Sequence, residues 1–529
     1  MRLDLTQLRS AARHEGGVSR RLFLAYAGAL SSLPLAARVA SAGGPVTFPS
    51  DPFTLGVASG DPDHQGVVLW TRLAPAPLDP FGGMPPVPVE VTYEVADDEA
   101  MTKVVATGTV VATPQLGHSV HAEPTGLRPD RWYHYRFRAG DAVSPVGRTR
   151  TLPHPSASPA SLKFAFASCQ HYEAGYFTAY SEMAKDGLDL VCHLGDYIYE
   201  GKEGNSPIRR HLGPEIQTLG DYRVRHAQYR SDPDLKQMHA VCPWFVTWDD
   251  HEFDNNCAGA ISEESGVDPV DFLVRRADAY QAYYEAMPLR AASLPTGPDM
   301  QLYRRASYGR LADLMVLDTR QYRTDQPNDD RKSPLNEAAT ARENTLLGTT
   351  QRNWLYASLL KSESTWNVLA QQVMAGMAAL PAADGSGIYS MDQWPGYAHE
   401  RMELVRFLQD RRVQNPVVLT GDIHQNWVNE LRVDDRQADL PVVATEFVGT
   451  SISSGGKGAE KPGNHEYVTS QNPCVKFYNG ERGYVRCTVT PETWTADYQV
   501  VDDVTRPGGA VRTRASFVIE AGRPGVTPA

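Results

Sequence analysis

Four short stretches of this 529-residue chain carry side chains able to hold a metal ion. They are Cys169 in AFASCQHYEAG, Asp196 and Tyr199 in CHLGDYIYE, Asp249 to Glu252 in FVTWDDHEFDNN, and Asp422 with His424 in VVLTGDIHQNW. Thiolate, carboxylate, phenolate and imidazole together suit a transition metal such as iron, whereas carboxylates without thiolate suit a hard ion such as calcium. Singly, each has a plainer explanation: a cysteine ending a strand is usually a small buried hydrophobe, and Gly-Asp after a strand is usually a turn or a cap. Four such stretches in one domain argue otherwise, because each would crowd or bury charge without compensation. The chain has no Gly-x-Ser-x-Gly elbow and no Walker loop, so no other hydrolytic scheme competes.

Each stretch follows an apolar run: KFAFAS, LDLVCHLG, WFVTW and NPVVLTG, with further runs in LMVLDTR, WNVLAQQV and PVVATEFVGTSISS. Continuous rather than alternating apolarity predicts strands covered on both faces, as in an α/β layered domain. SDPDLKQMHAV and VRRADAYQAYYEAM supply helices between them. In such sheets chemistry collects just past the carboxyl ends of strands, which is where the candidate ligands fall. Upstream, from Phe53 to Thr151, short period-two runs broken by Gly, Pro and Asp predict about seven antiparallel strands, a β-sandwich. LPHPSASPASL reads as the linker between the two regions.

The six cysteines are too few for a disulfide scaffold. Cys192 and Cys242 lie in apolar segments as buried hydrophobes, while Cys474 and Cys487 flank the hairpin-like VKFYNGERGYVR with a spacing that admits a bridge. At the amino end, Ser19-Arg20-Arg21-Leu22-Phe23-Leu24, a modest apolar run and Ala40-Ser41-Ala42 have the layout of a twin-arginine export signal. That layout predicts export in the folded state by the twin-arginine machinery, to an extracellular, periplasmic or cell-wall location. The run is short of the roughly 20 apolar residues of a membrane anchor and contains Pro34. The formal charge of −12 grows more acidic without the arginine-rich first 42 residues, which argues against a nucleic-acid complex and fits a protein that collects cations.

Strand-Gly-Asp, then strand-x-Asp-His-Glu, then strand-Gly-x-x-His is the motif order of the calcineurin-like metallophosphoesterases. The spellings SCQHYEAG, GDYIYE, WDDHEFDNN and TGDIHQNW, with FTLGVASGDP and VVLWTRLAP near the amino end, resemble the PhoD-like alkaline phosphatase D family over nearly the whole chain. The resemblance implies an α/β fold, a metallophosphoesterase-type β-sandwich flanked by helices, preceded by a small all-β fibronectin type III-like sandwich domain. The expected division is a signal peptide over 1–42, the N-terminal sandwich over 43–152, a linker over 153–161, the catalytic domain over 162–503 and a tail over 504–529.

The implied activity is that of a secreted phosphoesterase cleaving phosphomonoesters and phosphodiesters with a metal-activated hydroxide. Residue by residue, the resemblance implies Fe3+ held by Cys169, Asp196, Tyr199 and His424. One or two Ca2+ ions would be held by Asp250 and Asp422, with Asp196 bridging. Asp249 and Asn256 are further ligands or caps, and Gln372 falls where related enzymes use a histidine. His251 would face the phosphate and leaving group, a task for a side chain that titrates near neutrality. Asp318 and Arg320 end another strand, where Arg320 is either a phosphate contact or one half of a structural ion pair. Two other readings are weighed: a metal-dependent phospholipase D acting on phospholipid headgroups, and an extracellular binding protein with a vestigial metal site. No basic amphipathic helix marks a lipid-docking surface, and a monomer is expected.

Overall fold

The unbroken apolar runs become strands buried on both faces. Leu162–Ala167, Leu190–Leu194 and Trp244–Thr247 run parallel in one sheet, and Ala312–Val316, Trp366–Ala370, Pro416–Thr420 and Ala444–Val448 run parallel in a second. The protein is represented by a computed structural model that describes residues 47–384 and 387–529; the segment read as an export signal lies outside the described residues.

The first sheet has ten strands and the second eight. They face one another across a core that includes Phe164, Phe166, Phe245, Trp366, Phe447 and Trp494. The outer face of the first sheet is covered by the helices Leu219–Arg230, Pro233–Val241 and Pro269–Ala286. Gly348–Lys361 and Ala398–Asp410 cover the second. This is the helix-flanked sandwich expected from the sequence.

The amino-terminal region is all-β, and its strand Trp132–Ala139 alternates half-buried and buried residues as a half-covered strand should. The strands of this region are shared between two sheets. Val57–Gly60, Val68–Arg72 and Ser119–Ala122 extend the ten-stranded catalytic sheet, joining it where Gly60 pairs with Trp244. Only Val89–Ala96, Val104–Ala112, Trp132–Ala139, Ala142–Val143 and Gly147–Arg150 form a separate five-stranded sheet. The two layers bury Leu69, Val91, Val95, Val120, Tyr133, Tyr135 and Phe137 between them.

Two expectations are corrected. The presumed tail contains the strands Val511–Glu520 and Arg523–Pro528, which add to the far edge of the ten-stranded sheet beside Thr493–Val501. Arg512, Arg514 and Glu520 obscure the period-two pattern there, but Phe517 and Ile519 enter the inter-sheet core. Cys474 and Cys487 are not bridged; all six cysteines are free and buried. The hairpin-like segment crosses between sheets, so Cys474 packs beside Trp427 and Tyr478 while Cys487 pairs with Phe164 in the other sheet.

Behind the first sheet, Tyr197 lies 5.2 Å from His193, 5.8 Å from His239 and 6.3 Å from His226, centroid to centroid. All three histidines are buried, and both ring nitrogens of His193 and His226 lack protein partners. Burial holds His193 and His226 down at about 3 and His239 well below its ordinary value. In the unfolded chain these rings take up protons near pH 6.5. Unfolding therefore binds protons between about pH 6.5 and 3, so their contribution to stability is complete above pH 6.5 and declines as pH falls. Each ring contributes a slope of up to about 1.4 kcal/mol per pH unit. Melting temperatures should thus be level above pH 7 and drop steeply below pH 6, and a His226→Gln variant should flatten that drop. Truncation after Asp503 should cost at least about 3 kcal/mol, from the burial of Phe517 and Ile519 alone, in denaturant titrations.

Candidate metal centre

The carboxyl ends of both parallel runs meet at one rim, joined by a bridge between Ser168 and Ser451. Cys169, Asp196 and Asp249 follow strands of the first sheet; Arg320, Gln372, Asp422 and Ser454 follow strands of the second. Close approach explains the Gly-Asp spelling. A Cβ on Gly195, whose φ is +112°, would lie 2.4 Å from the Cβ of Asp249, and one on Gly421 would lie 2.5 Å from Ser168 Oγ. Cys169, Asp196, Asn256, Asp422 and His424 all take left-handed backbone conformations, with φ between 46° and 63°. Such conformations are costly for non-glycine residues and persist only where surrounding contacts enforce them.

Glu252 supplies that enforcement for two of the loops. Its carboxylate accepts the backbone N–H groups of Asp196 at 3.1 Å, Tyr197 at 2.6 Å and Asp249 at 2.8 Å. Ligand atoms of Cys169, Asp196 and His424 then fall within 4.8 Å of one another, as do those of Asp196, Asp250 and His251, and those of Asp249, Asp250 and Asp422. Tyr199 completes the first group: its hydroxyl donates to Asp196 Oδ2 at 2.9 Å, lies 3.3 Å from His424 Nε2 and accepts from Ser454 Oγ at 2.6 Å. The residues singled out in the sequence thus lie close together in space, with Asp196 common to two groups.

The residues fit cations. Asp196 Oδ1, Asp249 Oδ2 and Asp250 Oδ1 are buried without a hydrogen-bond partner, which is costly for a carboxylate unless a cation lies against it. Burial, and then the neighbouring Asp196, pushes the Cys169 thiol and the Tyr199 phenol well above their ordinary ranges. Burial likewise raises Asp250 to about 7. A metal ion reverses this balance by favouring the deprotonated ligands.

Of the two weaker candidates, Arg320 takes the ion-pair role left open by the sequence, and Gln372 is not available as a ligand. Arg320 is fully buried rather than open to a phosphate. Its Nε donates to Asp249 Oδ1 at 2.5 Å, Nη1 to Asp392 Oδ1 at 2.6 Å, and Nη2 to Asp392 Oδ2 at 3.0 Å and Asp422 Oδ1 at 3.4 Å. It is the hub of an ion-pair cluster. Gln372 is spent on structure: Oε1 accepts from the Thr319 amide and hydroxyl, and Nε2 donates to Thr247 Oγ1 and the Leu317 carbonyl. Asp249 keeps one free oxygen in its acidic group, while the Asn256 amide donates to Asp330 at 2.5 Å.

Several functional neighbours escaped the sequence reading. Glu200 Oε2 lies 2.7 Å from His251 Nδ1, and its other oxygen accepts the Asn255 N–H, so this carboxylate fixes the ring. The His251 ring packs on Tyr199 at 4.2 Å. Burial opposes charge on His251, but Glu200, Asp250 and Asp196 outweigh it and raise its pKa well above the ordinary value. His171 also packs on Tyr199, at 4.4 Å, and its Nδ1 accepts the Glu173 N–H. Asp392 and Gln393, the latter donating to Asp422, come from an irregular segment with no periodic pattern to mark them. Glu200 was discernible in GDYIYE, four residues after Asp196.

The profile of the PhoD-like phosphatase family matches residues 164–498, and that of the PhoD-like phosphatase N-terminal domain matches 38–153. The chain belongs to the PhoD-like phosphatase family. It is 52% identical to alkaline phosphatase D of Bacillus subtilis (strain 168) over 520 residues, covering 96% of this chain and 88% of that protein. A solved structure of PhoD superposes with a TM-score of 0.89 at 52% identity, covering 92% of this chain and 93% of the other. Family membership and the spacing of the candidate ligands were thus read from the same motifs.

Because Glu200 holds the His251 ring and the Asn255 N–H rather than a candidate ligand atom, Glu200→Gln should lower kcat about 10- to 100-fold at unchanged metal content. Loss of bound metal in that variant, measured by elemental analysis, would instead make Glu200 part of the ligand set.

Proposed function

We propose that the chain is a metal-dependent phosphoric ester hydrolase acting on phosphomonoesters and phosphodiesters. The observation that carries this reading is Asp196, shared between the Cys169–His424 group and the Asp250–His251 group, which is the arrangement of a bridging ligand between two ions. The family membership supports the same activity. The donor types favour Fe3+ at Cys169, Asp196, Tyr199 and His424, and Ca2+ at Asp250 and Asp422, with Asp249 and Asn256 at its margin. When bound, such ions supply Lewis acidity and make water a competent nucleophile near neutral pH.

The chain's own residues do the rest. Glu200 holds His251 by Nδ1, which leaves Nε2 to carry a proton for the departing oxygen or to neutralise the phosphoryl group. Ser454 fixes the Tyr199 hydroxyl and, through the Cys169 carbonyl, the loop that bears the thiol. Arg320 places a permanent positive charge behind Asp249, Asp250 and Asp422, so that these carboxylates remain clustered before substrate arrives. The amino-terminal segment, read as a twin-arginine signal, makes the active protein an exported one. No helix among the described residues is long and apolar enough to cross a membrane.

The test is the mature chain assayed for iron and calcium and for turnover of a phosphomonoester, a phosphodiester and phosphatidylcholine. Iron-containing protein should show a visible phenolate-to-iron absorption that disappears in Tyr199→Phe, and it should cleave the soluble esters. A colourless, iron-free protein with full activity refutes the metal assignment. Cleavage of phosphatidylcholine alone would assign the chemistry to phospholipid headgroups.

A further inference from the structure

The amino-terminal five-stranded sheet ends in an open edge. Val104–Ala112 pairs with Val89–Ala96 on one side and, among the described residues, with no strand on the other. Exposed edges normally carry lysine, proline or a bulge that blocks pairing with another chain. This one reads VVATGTVVA, without charge or proline, and its one register irregularity falls at the Val104–Ala106 end. Val104 and Val105 are 45% and 46% exposed, and Thr107 and Thr109 are exposed as well.

The strand is nearly palindromic about Gly108. Outward from that residue stand Thr107 and Thr109, then Ala106 and Val110, then Val105 and Val111, then Val104 and Ala112. In an antiparallel pair with its two-fold axis at Gly108, residues equidistant from the axis face each other across the two copies. Threonine would oppose threonine, a favourable cross-strand pair, and valine or alanine would oppose valine or alanine. The first charge beyond the strand, Lys103, would meet Thr113, so the pairing opposes no like charges. A two-fold axis is also what a self-complementary patch requires.

We propose that two copies of the chain associate through this edge, continuing each five-stranded sheet into the other, in place of the monomer expected from the sequence. A single strand pair buries less surface than a standard permanent interface. The association is therefore concentration-dependent rather than obligate.

Sedimentation velocity of the full mature chain over a concentration series should show a monomer shifting to dimer. Thr107→Lys, at an exposed position outside the metal centre, should remain monomeric at every concentration with phosphoesterase activity unchanged. Thr107→Cys combined with Thr109→Cys should give a disulfide-linked dimer on oxidation, since the native cysteines are buried. A monomer at all concentrations with no cross-link overturns the proposal. So does a dimer that persists undiminished in Thr107→Lys.

Discussion

The structure depends on how it tolerates buried negative charge where two sheets converge. Asp196, Asp249, Asp250, Glu252 and Asp392 are withdrawn from water at one rim, with Asp422 half-buried beside them. Isolated, each would take up a proton or disrupt the core. Arg320 makes the cluster possible by pairing with Asp249 and Asp392 and lying within 3.5 Å of Asp250 and Asp422, with Arg323 adding a second contact to Asp392. The compensation is incomplete, because one oxygen each on Asp196, Asp249 and Asp250 has no hydrogen-bond partner. That unsatisfied remainder is what cations fit.

The same rim explains where backbone strain is stored. Two sheets joined at Ser168 and Ser451 leave no room for side chains at positions 195 and 421, and the residues that follow turn through left-handed conformations. Glu252 and Ser454 lock those turns by binding backbone groups of Asp196, Tyr197, Asp249 and Cys169. Position, rather than residue identity alone, is what these contacts supply, and rigid positioning is what distinguishes a catalytic site from an acidic surface.

Much of this was legible in advance, for identifiable reasons. Strands buried on both faces announce themselves as unbroken apolar runs, and the polar groups that end them fall at the sheet's carboxyl edge by topology. The helix Leu219–Arg230 gave no such pattern, because the face it buries is made of Tyr222, Arg223, Arg225, His226, Tyr229 and Arg230. Those side chains are satisfied or shielded only by tertiary partners: Arg223 by Glu285, Arg225 by the Tyr199 and Gly201 carbonyls, and Arg230 by Tyr197 and the Trp70 ring. The last two strands were hidden in a related way, their arginines reading as a polar tail until Phe517 and Ile519 found the inter-sheet core.

By itself the sequence determined the family, the layered fold and the residue types of the candidate metal centre, because periodicity and short motifs are local properties that survive without coordinates. It also determined the near-symmetry of the edge strand about Gly108. Only the tertiary structure decided which polar residues are free to act and which are consumed. Arg320 became a buried counter-ion and Gln372 a tie between strand ends, while Glu200 emerged as the partner of His251. The reason is physical: a side chain's role here is set by which donors and acceptors remain unpaired after packing, and those partners lie tens to hundreds of residues away along the chain.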